Sequence, residues 1–355
     1  QVIALIGAGL ATVALGLLAY ELAGDRAGAV LGTALAIKMS AYILVAPVAA
    51  AFADKFPRRS MLVTLDLVRA LVAIALPFVT QIWEIYILIF ILQSASAAFT
   101  PTFQATIPEI LPDEREYTRA LSLSRLAYDL ESVISPMLAA ALLAVMSFHN
   151  LFAGTAVGFI ASALLVVSVR LPKMKALTVK RSIYDKTTRG MRIFLKTPRL
   201  RGLLALNMAV AAASAMVIVN TVVLVQANFG FSQRSTAIAL ACFGIGSMLS
   251  ALILPRLLDK MSDRMPMLVG TSLLVIGLGL GILLKNYVTL LVLWALLGVG
   301  YSLSQTPSGR LLRRSSKAED RPALFAAQFA LSHSCWLVTY PLAGWVGATW
   351  GTQAS

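Results

Sequence analysis

The chain has 355 residues, 59% of them hydrophobic and only 13% charged, with a mean hydropathy of +0.82. A water-soluble domain carries about 25% charged residues, so this composition excludes an ordinary soluble enzyme and a disordered chain. The net charge of +14 would suggest nucleic acid in a soluble protein, but its placement along the chain points elsewhere.

Apolar stretches long enough for a membrane helix, about 20 residues, occur at roughly 1–23, 28–53, 61–81, 83–111, 118–146, 150–171, 201–228, 232–258, 266–285, 287–309 and 322–350. They lack the alternation and the length of about 9–11 residues that membrane barrel strands show. The predicted fold class is therefore an all-α polytopic membrane protein of eleven spans. With the connection between the second and third spans placed inside, the inside loops hold 24 of the 30 Lys and Arg residues. Arg26, Arg234 and Lys285 fall outside, and Lys38, Arg69 and Arg125 fall within spans. This positive-inside bias accounts for the net charge with lipid as the partner and no nucleic acid. It also predicts a cytoplasmic N-terminus and a cytoplasmic central linker.

That linker, residues 172–200, divides an N-terminal bundle at 1–171 from a C-terminal bundle at 201–355. Within it Ile183, Tyr184, Met191, Ile193 and Phe194 interleave with Arg181, Lys186, Arg189, Arg192 and Lys196. An amphipathic helix lying on the membrane surface fits this pattern, and a regulatory or partner-binding segment is the alternative.

The two bundles repeat one another. Asp54, Lys55 and Arg59 recur as Asp259, Lys260 and Arg264 at an offset of 205, as does Pro136 at Pro341. Thr100-Pro101 recurs as Thr306-Pro307, and Asp113-Glu114-Arg115 as Glu319-Asp320-Arg321, at an offset of 206. Six spans separate equivalent points, so the halves run parallel about an axis along the membrane normal. By this offset the second half lacks its sixth span, and the chain is expected to be a piece of a longer protein.

Residues Ala50 to Arg59, with Asp54-Lys55 and Arg58-Arg59, resemble the loop signature of the major facilitator superfamily, although Ala50 and Pro57 replace its glycines. Phe99-Thr100-Pro101 and Ile107 to Pro112 are similar to the bacterial exporter branch that includes enterobactin, macrolide and nickel-resistance exporters. The resemblance implies two pseudo-symmetric six-helix bundles around a cavity, alternating access, and a monomeric carrier in the cytoplasmic (inner) membrane of a bacterium. It also implies a gating role for Asp54, Lys55, Arg58, Arg59, Asp259, Lys260 and Arg264. Arg58 and Arg59 are then expected to pair with carboxylates of the other bundle. The alternative for these loops is a topology anchor only.

Ionisable residues inside spans are costly and mark functional candidates. Asp66 and Arg69, at i, i+3, can pair on one face of the third span. They read as a structural pair or as part of the coupling machinery. Arg125 and Asp129, at i, i+4 in the fifth span, can neutralise each other. Glu131 points to a different face and has no charge partner on its own helix, and Lys38 is similarly alone on the second. A Lys38–Glu131 contact across helices would satisfy both, either as a packing pair or as a place where proton and substrate compete. Glu131, Lys38, Asp66, Asp129 and Arg125 are thus the proton-coupling candidates. Gln93, Thr100 and Gln104 share a face of the fourth span. The family resemblance makes them substrate contacts, with Asn220 and Gln305 as counterparts in the second half, and interhelical hydrogen bonding is the alternative.

No phosphate-loop motif for an ATP-driven pump occurs. His149 and His333 are the two histidines, so neither a metal nor any other cofactor is expected, and no cluster suits a membrane enzyme. The predicted function is proton-antiport export of a small molecule, a drug, siderophore or metal complex. An uptake carrier or uncoupled facilitator of the same fold is the alternative, with a channel behind it.

Overall fold

The computed structural model describes residues 2–23, 27–52, 56–169, 182–283 and 286–350. Asp54 and Lys55, two of the predicted gating residues, lie outside them, as do Arg26, Lys285 and the first part of the linker.

The described residues form thirteen α-helices and no strand. The first six are α1 Val2–Ala23, α2 Ala27–Phe52, α3 Arg58–Ala75, α4 Ile82–Ile110, α5 Glu114–Leu143 and α6 His149–Ser168. The linker carries α7 Ile183–Lys196. Then follow α8 Pro198–Val222, α9 Gln233–Leu258, α10 Arg264–Gly281, α11 Tyr287–Gln305, the short α12 Ser308–Arg314, and α13 Arg321–Trp350. The helices begin and end within a few residues of the predicted spans. Two spans depart from a regular α-helix at their ends. The third span closes with a 3-10 turn at Leu76–Phe78 because Pro77 cannot donate to an α-helical ladder. The seventh span widens into a π-helical stretch at Val223–Asn228.

Nine of the described helical stretches are long and apolar enough to cross a membrane by length and composition. The helices α5 and α13 have 30 residues each, about 45 Å at 1.5 Å per residue. That exceeds the roughly 30 Å hydrocarbon layer, and α5 begins with the polar turn Glu114-Arg115-Glu116 while α13 begins at Arg321.

Helix packing divides the chain into two compact units. One comprises residues 1–112, 130–194 and 316–330, and the other residues 113–129, 195–315 and 331–355. Both α5 and α13 therefore begin in one unit and finish in the other. In the first unit Leu10, Leu18, Ile85, Ile89, Leu151, Phe152 and Phe159 form the main core, and Thr155 Oγ1 donates to the Gly7 carbonyl at 2.8 Å. A second core there joins Ala46 and Ala97 to Ala326 and Phe329 at the start of α13.

The second unit is built on α11. Gly246 of α9 and Gly298 of α11 let these helices cross in backbone contact. A Cβ on Gly246 would overlap the Ala295 carbonyl oxygen, and one on Gly298 the Phe243 carbonyl oxygen. Trp294, fully buried on α11, donates from Nε1 to Thr221 Oγ1 at 2.8 Å, so its one polar atom is satisfied.

Candidate functional site

Several groups of polar side chains stand out, each assembled from residues of a single unit. The first surrounds Glu131 in the first unit. It lies half-buried on α5, where α1 approaches at Gly9. A Cβ on Gly9 would overlap Ser135 and come within 3.0 Å of Glu131 Oε1. Ser135 is itself buried, and its hydroxyl reaches the Ile6 carbonyl at 3.5 Å. Lys38 of α2 is the cation that acts on Glu131 electrostatically, and its ammonium lies 5.7 Å from the Tyr42 ring centroid. The anticipated Lys38–Glu131 ion pair is not formed. Lys38 therefore acts on Glu131 through its charge and not through a direct ion pair.

The predicted pair of the third span is formed and deeply enclosed. Asp66 is fully buried and accepts from Arg69. The Arg69 guanidinium lies between the rings of Phe99, 4.1 Å away, and Phe159, 4.6 Å away. Two aromatic faces on a buried cation stabilise it by cation–π attraction. This enclosure fits the structural reading of Asp66 better than a coupling role.

The second group lies in the other unit. Arg125 Nε donates to Asp129 at 3.1 and 3.3 Å, and its Nη2 donates to the same carboxylate. Ser247 Oγ of α9 donates to Asp129 Oδ2 at 2.6 Å. The Arg125 guanidinium stacks on the Tyr301 ring of α11 at 4.3 Å, and Phe243 packs against that ring at 5.5 Å. The local pair was legible from the i, i+4 spacing. Ser247 and Tyr301 were not, since they lie 118 and 176 residues from their partners.

The third group lies at the basic-loop ends. Arg310 of α12 pairs with Glu114 at 2.7 Å and with Asp263 at 2.9 Å, and donates to Thr118 at 2.9 Å. Arg314 bonds to Asp263 at 2.7 Å and to Glu114. Arg115 pairs with Asp259, a predicted gating residue, at 3.2 Å. Glu114, Arg115, Asp259, Lys260, Arg310 and Arg314 border an open cleft of about 650 Å³. Arg264 begins α10 and is exposed. In the first unit Arg58 is buried against Glu109 at 2.6 Å and Thr106 at 3.2 Å, while Arg59 donates to the Val167 carbonyl. The expectation that Arg58 and Arg59 reach carboxylates of the other sequence half is therefore corrected. Glu109 ends the neighbouring helix within reach, and a shorter path wins.

Burial pushes the Asp263 carboxyl above the ordinary range, against the opposing pull of Arg310 and Arg314. A raised folded-state pKa favours the folded state below the unfolded pKa, and that contribution fades as pH rises through the folded value. Acidification toward the carboxylate range should thus shift the apparent Tm of the wild type upward relative to Asp263→Asn. Thermal unfolding of both in detergent across that window checks this, and a shift in favour of the Asn variant would show that the arginines dominate.

The linker helix α7 is held in the first unit. Arg189 makes a two-point pair with Asp320, at 2.5 and 3.0 Å. Phe194 is fully buried, and a Cβ on Gly190 would overlap the Ala323 carbonyl oxygen of α13. Gly190→Val should dislodge α7 and speed tryptic cleavage of the linker several-fold. The control Gly202→Val, where a Cβ meets nothing within 4 Å, should cleave at the wild-type rate.

The predicted substrate contacts divide. Gln93, Thr100 and Gln104 are half-buried along α4. Asn220 is buried and donates to the Ala343 carbonyl at 3.3 Å, and Gln305 donates to Asn207 at 3.4 Å. Those two make the interhelical bonds of the alternative reading.

Comparison with known proteins places this architecture. The family model described as Major Facilitator Superfamily matches residues 1–224 and 204–355. The chain belongs to the major facilitator superfamily. It is 25% identical over 220 residues to the MFS-type transporter YfiS of Bacillus subtilis, covering 60% of this chain and 52% of that protein. It is 25% identical over 154 residues to macrolide efflux protein A of Enterococcus faecalis, covering 41% and 47%. The chain thus spans about half the length of these curated relatives. Among solved structures it is similar to the human organic anion transporter MFSD10, with a TM-score of 0.83 at 15% identity over 99% of this chain and 92% of that one. The fucose:proton symporter FucP of E. coli follows, with a TM-score of 0.76 at 13% identity over 99% and 92%. These identities bear on the fold alone.

Proposed function

We propose that the protein is a secondary active exporter of small organic molecules, working by alternating access with proton antiport. Two bundles, spans one to six in 1–171 and spans seven to eleven in 201–355, joined by the linker at 172–200, would be the moving bodies in the cytoplasmic membrane of a bacterium. The basic loops would lie on the cytoplasmic side, against anionic lipid, and a monomer would suffice. The observation that carries the reading is membership of the superfamily along the whole chain, and the efflux protein among its relatives supports the outward direction. Glu131 supports proton coupling, because it is an ionisable group in a span, half-buried, under the electrostatic influence of Lys38 and without an ion pair among the described residues. Protonation of Glu131 would remove its attraction to Lys38 and shift the balance between two states of the carrier.

Inverted membrane vesicles test the reading. With an imposed pH gradient, acid inside, they should accumulate substrates from a panel of drugs, siderophores and metal complexes, and a protonophore should abolish the accumulation. Efflux from the vesicles would indicate uptake in the cell, and equilibration without accumulation would indicate a facilitator.

A further inference from the structure

The Arg125–Asp129 pair has one open side. Its side chains are 17% and 4% exposed respectively, so the solvent-facing member is the cation. Asp129 is covered by Arg125 and Ser247. A guanidinium eleven residues into a helix of this length is costly against lipid, so the uncovered part of the Arg125 side chain would be best met by water or a polar ligand group.

Aromatic surface continues from that part. Tyr301 stacks on the guanidinium at 4.3 Å, and Tyr340 of α13 lies within electrostatic reach of Tyr301. Trp336, one turn before Tyr340 on the same face, contacts it at 5.1 Å between ring centroids. All three rings are half-buried, so each offers part of its surface. The wall therefore combines flat apolar area, a partly exposed cation and a covered carboxylate. A ligand carrying its own cation would meet the exposed Arg125 and find Asp129 already occupied. A ligand carrying an anion beside a flat ring system would find a match for both parts.

We propose that Arg125, Tyr301, Tyr340 and Trp336 form a subsite for organic anions with a planar aromatic body. The subsite narrows the substrate class of the exporter reading and rests on that reading for transport, while binding to it does not. The anion meets the guanidinium edge by a charge-assisted contact, and the ring body lies along Trp336 and Tyr340 by stacking.

Binding of two dyes with one tricyclic core and opposite charge tests this: fluorescein, an anion, and rhodamine 123, a cation. The full chain in nanodiscs of zwitterionic lipid is titrated with each, and empty nanodiscs are subtracted. Fluorescein should bind at least about tenfold more tightly than rhodamine 123, the scale of one charge-assisted contact. Trp336→Leu and Tyr340→Leu, which leave the ion pair in place, should each weaken fluorescein several-fold with an unchanged size-exclusion profile. Equal or tighter binding of rhodamine 123 would overturn the proposal, as would unchanged fluorescein affinity in both leucine variants. Selective fluorescein binding with no transport in vesicles would leave the subsite standing and remove the exporter reading.

Discussion

Glu131→Gln should abolish the response of transport to a pH gradient while leaving protein yield and substrate binding near wild type. The amide is close to the protonated carboxyl in size and shape, and it carries no charge for Lys38 to attract. Folding should tolerate it, because no ion pair to Glu131 is formed among the described residues and the charge is carried half-buried in a span. Gly9 leaves the space that this side chain and Ser135 occupy, and the substitution does not alter that space. In inverted vesicles the wild type should accumulate substrate only under an imposed gradient, whereas the Gln variant should equilibrate it at the same rate with or without one. Lys38→Met should resemble the Gln variant, since either change removes the attraction between the two charges. Gradient-driven accumulation by Glu131→Gln would exclude Glu131 from coupling. Asp66 would be a poor substitute, because Arg69 already holds it within a buried and aromatic-walled pocket.

Much of the fold was legible because a membrane span writes itself into the chain as length and apolarity. The bilayer sets about 20 residues for a spanning helix. The internal offset near 205 came from repeated short motifs. Side-chain pairs within a helix were equally legible, because one turn brings i and i+4 together: Arg125 finds Asp129, and Asp66 finds Arg69 at i+3. Partners across helices were not legible. Arg310 meets Glu114 from 196 positions away, and nothing in the spacing of either residue says so. The linker helix was readable as amphipathic, but Arg189 and Gly190 became informative only when Asp320 and Ala323 were seen against them. The aromatic neighbours of Arg125 were hidden for a different reason. Tyr301, Trp336 and Tyr340 sit in apolar runs where aromatic residues are ordinary, and only the stacking on a cation sets them apart.

Asp129→Asn should do far more damage than Glu131→Gln, two positions away on the same helix. Asp129 is the sole carboxylate with an ion pair to Arg125 among the described residues, and it also accepts from Ser247 at 2.6 Å. Removing its charge strands a guanidinium in an apolar span, and breaking one side of a buried pair costs about 3–5 kcal/mol. That is a large share of the roughly 5–15 kcal/mol by which a typical protein is stable. The expected result is a severalfold drop in protein recovered from membranes and a broadened size-exclusion profile, before any measurement of transport. Neutralising both partners separates stability from function. Arg125→Met with Asp129→Leu removes the stranded charge, because buried ion pairs replaced by apolar residues of similar volume are often neutral or stabilising. The double variant should therefore recover yield, yet it loses the cation beside Tyr301. If the open edge of Arg125 binds substrate anions, the recovered protein will fold and still fail to bind them. If the pair only joins α5 to α9 and α11, the double variant will recover yield and binding together.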